Sequence, residues 1–347
     1  MPDLKDIRSL SRDALHDWFV NMKLPAFRAK QVFEWLWKKN AASFDEMSNL
    51  PLSLRGELQQ HFMIRRAEVS SLDESADGTR KLLFLLFDEQ LVEGVLIPSG
   101  SRTTACISTQ AGCRLACRFC ATGGAGFKRD LQAAEIVDQF MHLDRLSCQL
   151  YGHPLDNAVY MGMGEPLLNT EAVMRATEII TDAETGSGFS PRRITLSTVG
   201  IPEGIRKLAE WPIKIQLAVS LHSAIQQKRE QLMPVARKYD LEELSDSLSD
   251  YHVKTKERIT FEYLLLGDIN DGREDMEALA LFCRRFPVKV NLINYNEFPG
   301  SLFRQSSSVK RDAFMSGLRK KNMVVHLRKS KGSDIAAACG QLAGPKK

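Results

Sequence analysis

Long apolar runs are absent from this sequence, and none approaches the ~20 residues that a membrane-spanning helix requires. The chain also does not begin with a charged and then apolar leader that ends in a small-residue cleavage site. Cysteine is scarce, with 7 residues in 347, which is too few for a secreted disulfide scaffold. We therefore expect a cytoplasmic protein that makes no contact with a membrane.

A strong excess of one charge is missing as well. The 47 basic residues are nearly balanced by 43 acidic ones, so the formal net charge is only +4. This balance permits a nucleic-acid partner without demanding one. The composition, 44% hydrophobic and 26% charged, excludes disorder over most of the chain and is sufficient for one large core and a smaller accessory domain.

The first part of the chain, from Leu10 to about Phe62, has the apolar spacing of helices and is interrupted by Pro25 and Pro51. This spacing predicts a small helical domain. Basic residues in and just after it could contact phosphates, namely Lys23, Arg28, Lys30, Lys38, Lys39, Arg65 and Arg66. A solvated helix face explains the same residues more simply.

The rest of the chain alternates between strand and helix patterns. Apolar runs at 81–87 and 91–97 flank a polar turn and predict a β-hairpin. Further strands are predicted at 158–163, 194–197, 215–221, 259–266, 288–294 and 323–328, and helices at 131–146, 170–183, 241–251 and 273–285. Repeated strand-helix units predict a parallel sheet with helices outside it, as an open sheet or a barrel.

The cysteines are clustered. Residues 113–120 read Cys-Arg-Leu-Ala-Cys-Arg-Phe-Cys and provide three thiolates in a loop after the first strand of the main domain. Three soft thiolates favour an iron-sulfur cluster, whereas a structural zinc site normally needs four protein ligands. With three ligands on a four-iron cube, one iron stays open for a small chelating molecule. S-adenosylmethionine (SAM) has an amino-acid end that could chelate it.

Polar motifs recur where the predicted strands end, which is where a barrel of this kind gathers its active site. They are Met-Gly-Met-Gly-Glu-Pro at 161–166, Leu-Ser-Thr-Val-Gly at 196–200, Ser-Leu-His at 220–222 and Asn-Tyr-Asn at 294–296. Glu165 can accept hydrogen bonds from an ammonium group, and the hydroxyl, imidazole and amide groups could hold ribose, carboxylate and adenine. Taken singly, each motif is also an ordinary strand-capping turn, and His222 an ordinary packing histidine.

The spacing C-x3-C-x2-C in such a loop resembles the signature of the radical SAM superfamily. A more specific resemblance, to the RlmN/Cfr family of RNA adenine methyltransferases, covers almost the whole chain up to residue 344. The stretches that carry it are 27–31 (Phe-Arg-Ala-Lys-Gln), 46–51 (Glu-Met-Ser-Asn-Leu-Pro), the cysteine loop, 162–169 (Gly-Met-Gly-Glu-Pro-Leu-Leu-Asn), 220–222 and 334–342 (Asp-Ile-Ala-Ala-Ala-Cys-Gly-Gln-Leu).

This resemblance implies roles for individual residues. The cluster ligands would be Cys113, Cys117 and Cys120. The positions that match SAM contacts are Gly164, Glu165, Ser197, Ser220, Leu221, His222 and Asn296. Cys339 matches the cysteine that carries the methyl group, and Cys106 matches its partner in a transient disulfide. Glu93 matches the proton acceptor, although the Cys106 thiolate could serve instead.

The resemblance also implies cofactors and an order of events. One [4Fe-4S] cluster with an open iron for SAM is expected per chain, and two SAM molecules per turnover. C2 of adenine is too electron-poor to attack the SAM methyl group. In the family, one SAM therefore methylates the Cys339 thiolate, and a second yields the radical that activates the S-methyl group. Attack of Cys106 on the Cys339 sulfur then frees the product.

The implied fold is a radical SAM partial (β/α)6 TIM-like barrel with a small N-terminal helical domain and a β-hairpin extension. We predict a helical accessory domain with RNA contacts at 1–75, a hairpin linker at 76–103, the core barrel at 104–300 and an extension bearing the methyl carrier at 301–347. Departures from the family pattern are modest, with Asn294 in place of a usual proline and Lys331 at a position that varies.

The implied substrates are 23S ribosomal RNA and the transfer RNA adenosine next to the anticodon. Residues 166–169 resemble the branch that methylates adenine C2, and the nearest alternative is C8 methylation of the same ribosomal base. A non-catalytic iron-sulfur or zinc protein that binds RNA is an alternative of another class. An electron donor such as flavodoxin or ferredoxin is implied, and we expect the chain to act as a monomer.

Overall fold

The computed structural model of the protein describes residues 4–344. The α-helices are α1 (Arg12–Asn21), α2 (Arg28–Trp37), α3 (Leu52–His61), α4 (Ala121–Gly124), α5 (Ala133–Tyr151), α6 (Thr170–Thr181), α7 (Pro202–Glu210), α8 (Gln226–Leu232), α9 (Leu241–Thr255), α10 (Arg273–Cys283) and α11 (Ser308–Lys320). The strands are β1 (Lys5–Asp6), β2 (Phe62–Met63), β3 (Glu68–Glu74), β4 (Arg80–Leu85), β5 (Leu91–Ser99), β6 (Arg102–Cys106), β7 (Gln110–Gly112), β8 (Phe127–Asp130), β9 (Asn157–Tyr160), β10 (Ile194–Thr198), β11 (Gln216–Ser220), β12 (Ile259–Leu265), β13 (Val288–Asn294) and β14 (Val325–Arg328).

One ten-stranded sheet organises the molecule, in the order β14-β13-β12-β11-β10-β9-β6-β5-β4-β3. From β6 to β14 all neighbouring strands are parallel, whereas β3 to β6 are antiparallel. The predicted parallel sheet and the hairpin of β4 and β5 are therefore confirmed. The hairpin extends the main sheet at one edge, and β14 forms the other edge.

Burial explains the difference between central and edge strands. Every residue of β12, Ile259–Leu265, is buried, because helices or other segments cover both faces of a central parallel strand. Every residue of β3, Glu68–Glu74, is exposed. Charged side chains on such an edge discourage pairing with other chains.

The predicted boundaries differ from the observed ones at several elements. The strand predicted at 158–163 ends at Tyr160, because the amides of Gly162 and Met163 bond to Ile107 and Ser108 instead of a neighbouring strand. Helix α5 continues to Tyr151, five residues beyond the predicted end at 146. Its first turn is capped by Glu135, whose side chain accepts a hydrogen bond from the Gln132 amide.

The N-terminal helices are fixed to the sheet domain by buried charges. The guanidinium of Arg8 donates two hydrogen bonds to the carboxylate of Asp138 on α5, at 2.7 and 3.0 Å. The same carboxylate accepts a hydrogen bond from the Ala67 amide, and Arg66 lies 3.7 Å away. Because both Arg8 and Asp138 are buried, each depends on the other for its charge compensation.

Some basic residues considered for RNA contact have partners within the protein. Lys30 pairs with Glu184 at 2.9 Å, and the Lys38 ammonium donates to the carbonyls of Ala183 and Glu184. Lys39 lies over the ring of Trp35. The contacts of Lys30 and Lys38 join the N-terminal helices to the loop after α6. Among residues 4–344, no helix is both long enough and apolar enough to cross a membrane.

Candidate active site

A cavity opens at the carboxyl ends of the parallel strands. Its lining includes these residues that the sequence singled out: Cys106, Cys113, Cys117, Cys120, Gly164, Glu165, Ser197, Ser220, His222 and Cys339. Glu93, Leu221 and Asn296 lie outside that lining. The fold therefore brings together residues from β6, β9, β10, β11 and the C-terminal segment, as expected for a sheet whose strands are parallel.

The cysteine loop lies between β7 and α4. Burial, together with the neighbouring cysteines, raises the pKa of Cys117 well above its usual range and that of Cys113 to about 11. Cys113 and Cys117 are thus buried beside other thiols, and a bound cation would favour their ionised forms. Buried Arg229, whose guanidinium donates to the Val199 carbonyl at 2.6 Å, supplies positive charge near Cys117.

This arrangement fits an iron-sulfur cluster. Within residues 4–344, no group of at least three His, Cys, Asp or Glu side chains has the arrangement that holds a single metal ion. Thiolates of a cluster bind different irons, and so they stand farther apart than ligands of one ion. The donor set of three cavity-lining cysteines is the one that iron-sulfur chemistry prefers.

Glu165 is held at the floor of the cavity by backbone amides. Its carboxylate accepts hydrogen bonds from Leu167 at 3.0 Å and Val199 at 2.8 Å. Burial outweighs these bonds and raises the pKa of Glu165 to about 7. A cationic ammonium group in the cavity would favour the ionised form. Gly164, at φ 102°, lets the backbone pass Gln110, because a Cβ atom would lie only 2.5 Å from the Gln110 Cβ.

Hydroxyl and imidazole groups form the neighbouring wall. The hydroxyls of Ser197 and Ser220 lie 3.4 Å apart at the ends of β10 and β11. His222 accepts a hydrogen bond from the Leu264 amide at Nδ1 and packs edge-on against Phe119. Burial lowers the pKa of His222 to about 3, so the ring is neutral and its Nε2 carries the proton that can be donated. The imidazole is suited to binding, and not to acting as a general base.

The two cysteines with predicted covalent roles line the same cavity but differ in environment. Cys339 is exposed, whereas Cys106 at the end of β6 is buried. Burial, and then the nearby Cys339 sulfur, raises the pKa of Cys106 to about 12. The Cys339 sulfur raises the pKa of Arg328, whereas burial opposes this rise. The Glu262 carboxylate, 3.7 Å from the Arg328 guanidinium, raises the pKa of Arg328 further. The Arg328 guanidinium therefore lies near enough to both cysteines to interact with them electrostatically.

The segment that bears Cys339 is bonded to the rest of the site on both sides. Asn296 donates to the Cys339 carbonyl at 3.1 Å, and the Ala121 amide, next to the cysteine loop, donates to Gly340. Gln341 donates to the carbonyl of Glu297 at 2.7 Å. Asn296 thus holds the segment that bears Cys339, although the sequence pointed to it only as a SAM contact.

Glu93 is buried beneath the end of this segment. Its carboxylate accepts hydrogen bonds from the amides of Ala343 and Gly344, at 2.9 and 3.0 Å. Lys81 on the neighbouring strand lies 3.2 Å from its other oxygen. Glu93 is therefore buried, although a charged side chain in a hairpin is ordinarily exposed.

Sequence reasoning missed Glu262 and Arg328 as residues of the site. Both line the cavity. Glu262 is the one charged residue among the buried residues of β12, which was an available signal. Arg328 ends β14, as the recognised polar motifs end their strands, but it stands in a basic stretch that resembles a solvated surface.

Comparison with known proteins gives the class and then the family. Residues 107–283 match the radical SAM superfamily, and residues 5–64 match the ribosomal RNA large subunit methyltransferase N-terminal domain. A crystal structure of a radical SAM methyltransferase from Sphaerobacter thermophilus superposes with a TM-score of 0.91 at 38% identity, covering 97% of this chain and 99% of that one. Fold and cavity therefore define a radical SAM methyltransferase, a superfamily that implies a four-iron cluster and SAM.

Two curated relatives identify the family within this superfamily. The dual-specificity RNA methyltransferase RlmN of Nitratidesulfovibrio vulgaris is 46% identical over 345 residues, which are 97% of this chain and 94% of that protein. A protein of Flavobacterium johnsoniae named "probable dual-specificity RNA methyltransferase RlmN" is 46% identical over 339 residues, with 98% and 97% covered. The chain belongs to the RlmN family of radical SAM RNA methyltransferases. The family resemblance inferred from the sequence is confirmed.

Proposed function

We propose that this protein methylates C2 of adenosine in 23S ribosomal RNA, and the adenosine next to the anticodon in transfer RNA, through a methyl group carried on Cys339. The observation that supports this most is the shared cavity, in which Cys339 and Cys106 face the cysteine loop and Arg328. A single enclosed space can thus present a methyl donor, a carrier sulfur and a second sulfur to one base.

Cys113, Cys117 and Cys120 would hold the cluster, and Glu165, Ser197, Ser220 and His222 would bind SAM beside it. When bound, the cluster and SAM supply the methyl group and the 5′-deoxyadenosyl radical. Glu165 would accept hydrogen bonds from the SAM ammonium group, and the neutral His222 would donate one through Nε2.

Cys339 would accept the methyl group, because it is the exposed cysteine of the cavity and the Arg328 guanidinium lies near it. Cys106 would later attack the Cys339 sulfur: a disulfide forms, the bond between that sulfur and the methylene carbon breaks, and the thiol proton of Cys106 passes to this carbon, which frees the methylated base. Since a pKa of about 12 keeps Cys106 protonated until that step, Glu93 would take the ring proton. It becomes available once the amides of Ala343 and Gly344 release its carboxylate.

RNA would reach the cavity across a basic rim. Lys329 and Lys331 belong to the lining of the cavity beside Cys339, where they would contact phosphates near the target base. The helical domain, matched over residues 5–64 to a ribosomal RNA methyltransferase domain, would grip the folded RNA. The chain would act as a monomer in the cytoplasm and take electrons from a flavodoxin or ferredoxin.

Peptide mass spectrometry of Cys339 tests the carrier role. We would reconstitute the cluster anaerobically, add SAM and measure the methylated fraction of Cys339 in wild type, Cys120→Ala and Cys148→Ala. Cys148 is an exposed cysteine on α5 outside the cavity lining, so its variant is the matched control. We expect methylation in wild type and Cys148→Ala only. An unmodified Cys339 in protein with an intact cluster and bound SAM would refute the proposal.

Two further measurements separate the alternatives. With RNA present, Cys106→Ala should accumulate a covalent adduct between Cys339 and adenosine, because its resolving thiol is gone. Nucleoside mass spectrometry against 2-methyladenosine and 8-methyladenosine standards decides the ring position. A protein that bound RNA but released no 5′-deoxyadenosine from SAM would instead be a non-catalytic RNA-binding protein.

A further inference from the structure

The turn between β3 and β4, at 75–79, has no role in the proposed chemistry, yet it touches the segment that leads to Cys339. We propose that this turn, called the cradle below, is the docking site for residues 332–344, the carrier segment. Asp77 and Asp334 are positioning residues that set the position of Cys339. This proposal rests on the assignment of Cys339 as methyl carrier.

Two carboxylates, one on each side, accept hydrogen bonds across this contact. Asp77, in the turn, accepts a hydrogen bond from the Gly332 amide at 3.0 Å. Asp334, in the carrier segment, accepts from the Ser75 hydroxyl at 2.6 Å and from the Ala76 amide at 3.1 Å. Each side therefore supplies an acceptor to donors of the other side, which fixes both distance and orientation.

Packing at Gly332 brings the two segments closer than any other residue would allow. Gly332 has φ 66°, and a Cβ atom there would lie 2.8 Å from Thr79 and 2.9 Å from Ala337. The Gly332 carbonyl accepts a hydrogen bond from the Ala337 amide at 2.8 Å. The cradle thus fixes Gly332, the first residue of the turn 332–337, and this turn ends two residues before Cys339.

Electrostatics support the same contact. Burial alone would raise the pKa of Asp77, but hydrogen bonds from Thr79 and Gly332 lower it to about 2. The Ser75 hydroxyl and the Ala76 amide lower the pKa of Asp334. Both groups are therefore carboxylates at neutral pH, as charge-assisted hydrogen bonds require. Both oxygens of Asp77 accept from backbone amides, of Thr79 and Gly332, so replacement of Asp77 by asparagine would turn an N–H group toward an N–H donor.

The carrier segment is thus fixed at both ends. The cradle holds its beginning, and Glu93 holds its end through Ala343 and Gly344. Cys339 lies between the two anchors with an exposed side chain. Loss of the cradle should therefore misplace the sulfur. Asp77 also lies 3.9 Å from Lys331 of the basic rim, so Asp334→Asn is the variant that leaves this ion pair in place.

Limited trypsin digestion of the full-length protein tests docking directly. The bond between Lys331 and Gly332 is next to the cradle, and cleavage releases a peptide of residues 332–347. We expect Asp77→Asn and Asp334→Asn to release it about tenfold faster than wild type, because local opening becomes more frequent. Glu74→Gln is the control, since Glu74 pairs with Arg80 on the same hairpin and makes no recorded contact with the carrier segment.

Steady-state kinetics test the positioning role. We expect kcat for RNA methylation to fall about tenfold in both variants. In Asp334→Asn, which keeps the ion pair between Asp77 and Lys331, the KM for RNA should stay within twofold, because the carrier and not the RNA surface is displaced. Circular dichroism checks that the variants fold, and Ser75→Ala, which removes a single hydrogen bond, should show the same changes to a smaller degree. Unchanged peptide release and unchanged kcat in both aspartate variants would overturn the proposal.

The outcomes also separate this inference from the carrier role. Cys339→Ala should abolish methylation but retain the wild-type resistance to trypsin. Faster peptide release in Asp334→Asn, in a protein whose Cys339 is never methylated, would support docking and refute the carrier assignment.

Discussion

The buried pair of Arg8 and Asp138 should make a large contribution to the attachment of the N-terminal domain. In Asp138→Ala, the Arg8 guanidinium loses both of its hydrogen bonds and stays buried. Removing one partner of a buried ion pair costs ~3–5 kcal/mol. Asp6 still lies 3.9 Å from Arg8, so we expect a loss near the lower end, ~3 kcal/mol.

Urea denaturation measures this loss. Trp18, Trp35 and Trp37 all lie in the N-terminal helices, so tryptophan fluorescence reports mainly on that domain. Because a domain is stable by only ~5–15 kcal/mol, the loss should shift the midpoint clearly. Asp17→Ala, on an exposed position of α1, is the control and should change the free energy of unfolding by less than ~0.5 kcal/mol.

A double variant refines the interpretation. Replacing both groups by apolar residues, Arg8→Met with Asp138→Leu, removes the uncompensated charge and should recover most of the lost stability. A cost of less than ~1 kcal/mol for Asp138→Ala would refute the reasoning. So would a double variant that is no more stable than the single one.

Three further outcomes follow from individual contacts. The stabilisation lost in Asp77→Asn should be fully present above the usual carboxyl pKa of 3.8 and should disappear as the pH falls toward about 2, so urea midpoints of wild type and variant should converge in acid. Gly164→Ala, which places a Cβ atom 2.5 Å from Gln110, should weaken SAM binding at least tenfold in equilibrium dialysis, and unchanged affinity would contradict the assigned close approach. Brief iodoacetamide treatment of protein without a cluster should modify the exposed Cys148 and Cys339 well before buried Cys106, and peptide mapping that finds Cys106 labelled equally fast would contradict its burial.

Much of the fold could be predicted because local patterns specify it. The strand predicted at 288–294 coincides with β13, and the one predicted at 259–266 differs from β12 by one residue. The strand predicted at 158–163 ends early, at Tyr160, because tertiary hydrogen bonds to Ile107 and Ser108 replace the pairing that the apolar pattern suggested, and helix α5 extends five residues past its predicted end. Periodicity reports burial, but it does not report which amides leave the sheet.

The site was predictable to the extent that its residues stand in recognisable motifs. The cysteine loop, Glu165 and Cys339 belong to such motifs and all line the cavity. Arg328 and Glu262 do not, and only the folded arrangement reveals them. A lone charge in a strand gains its meaning from the groups that the neighbouring strands place beside it.

By itself, the sequence determined the elements, the family and the chemistry of the cysteine loop, since these depend on residue types at short spacing. Tertiary structure alone decided that Asp334 bonds to Ser75 across 259 residues of chain and that Glu93 holds the amides of Ala343 and Gly344. Such contacts produce no local pattern in the sequence, because each of these carboxylates resembles an ordinary surface charge there. The physical reason is that a hydrogen bond depends on distances of a few ångströms, and the packing of the whole chain sets those distances.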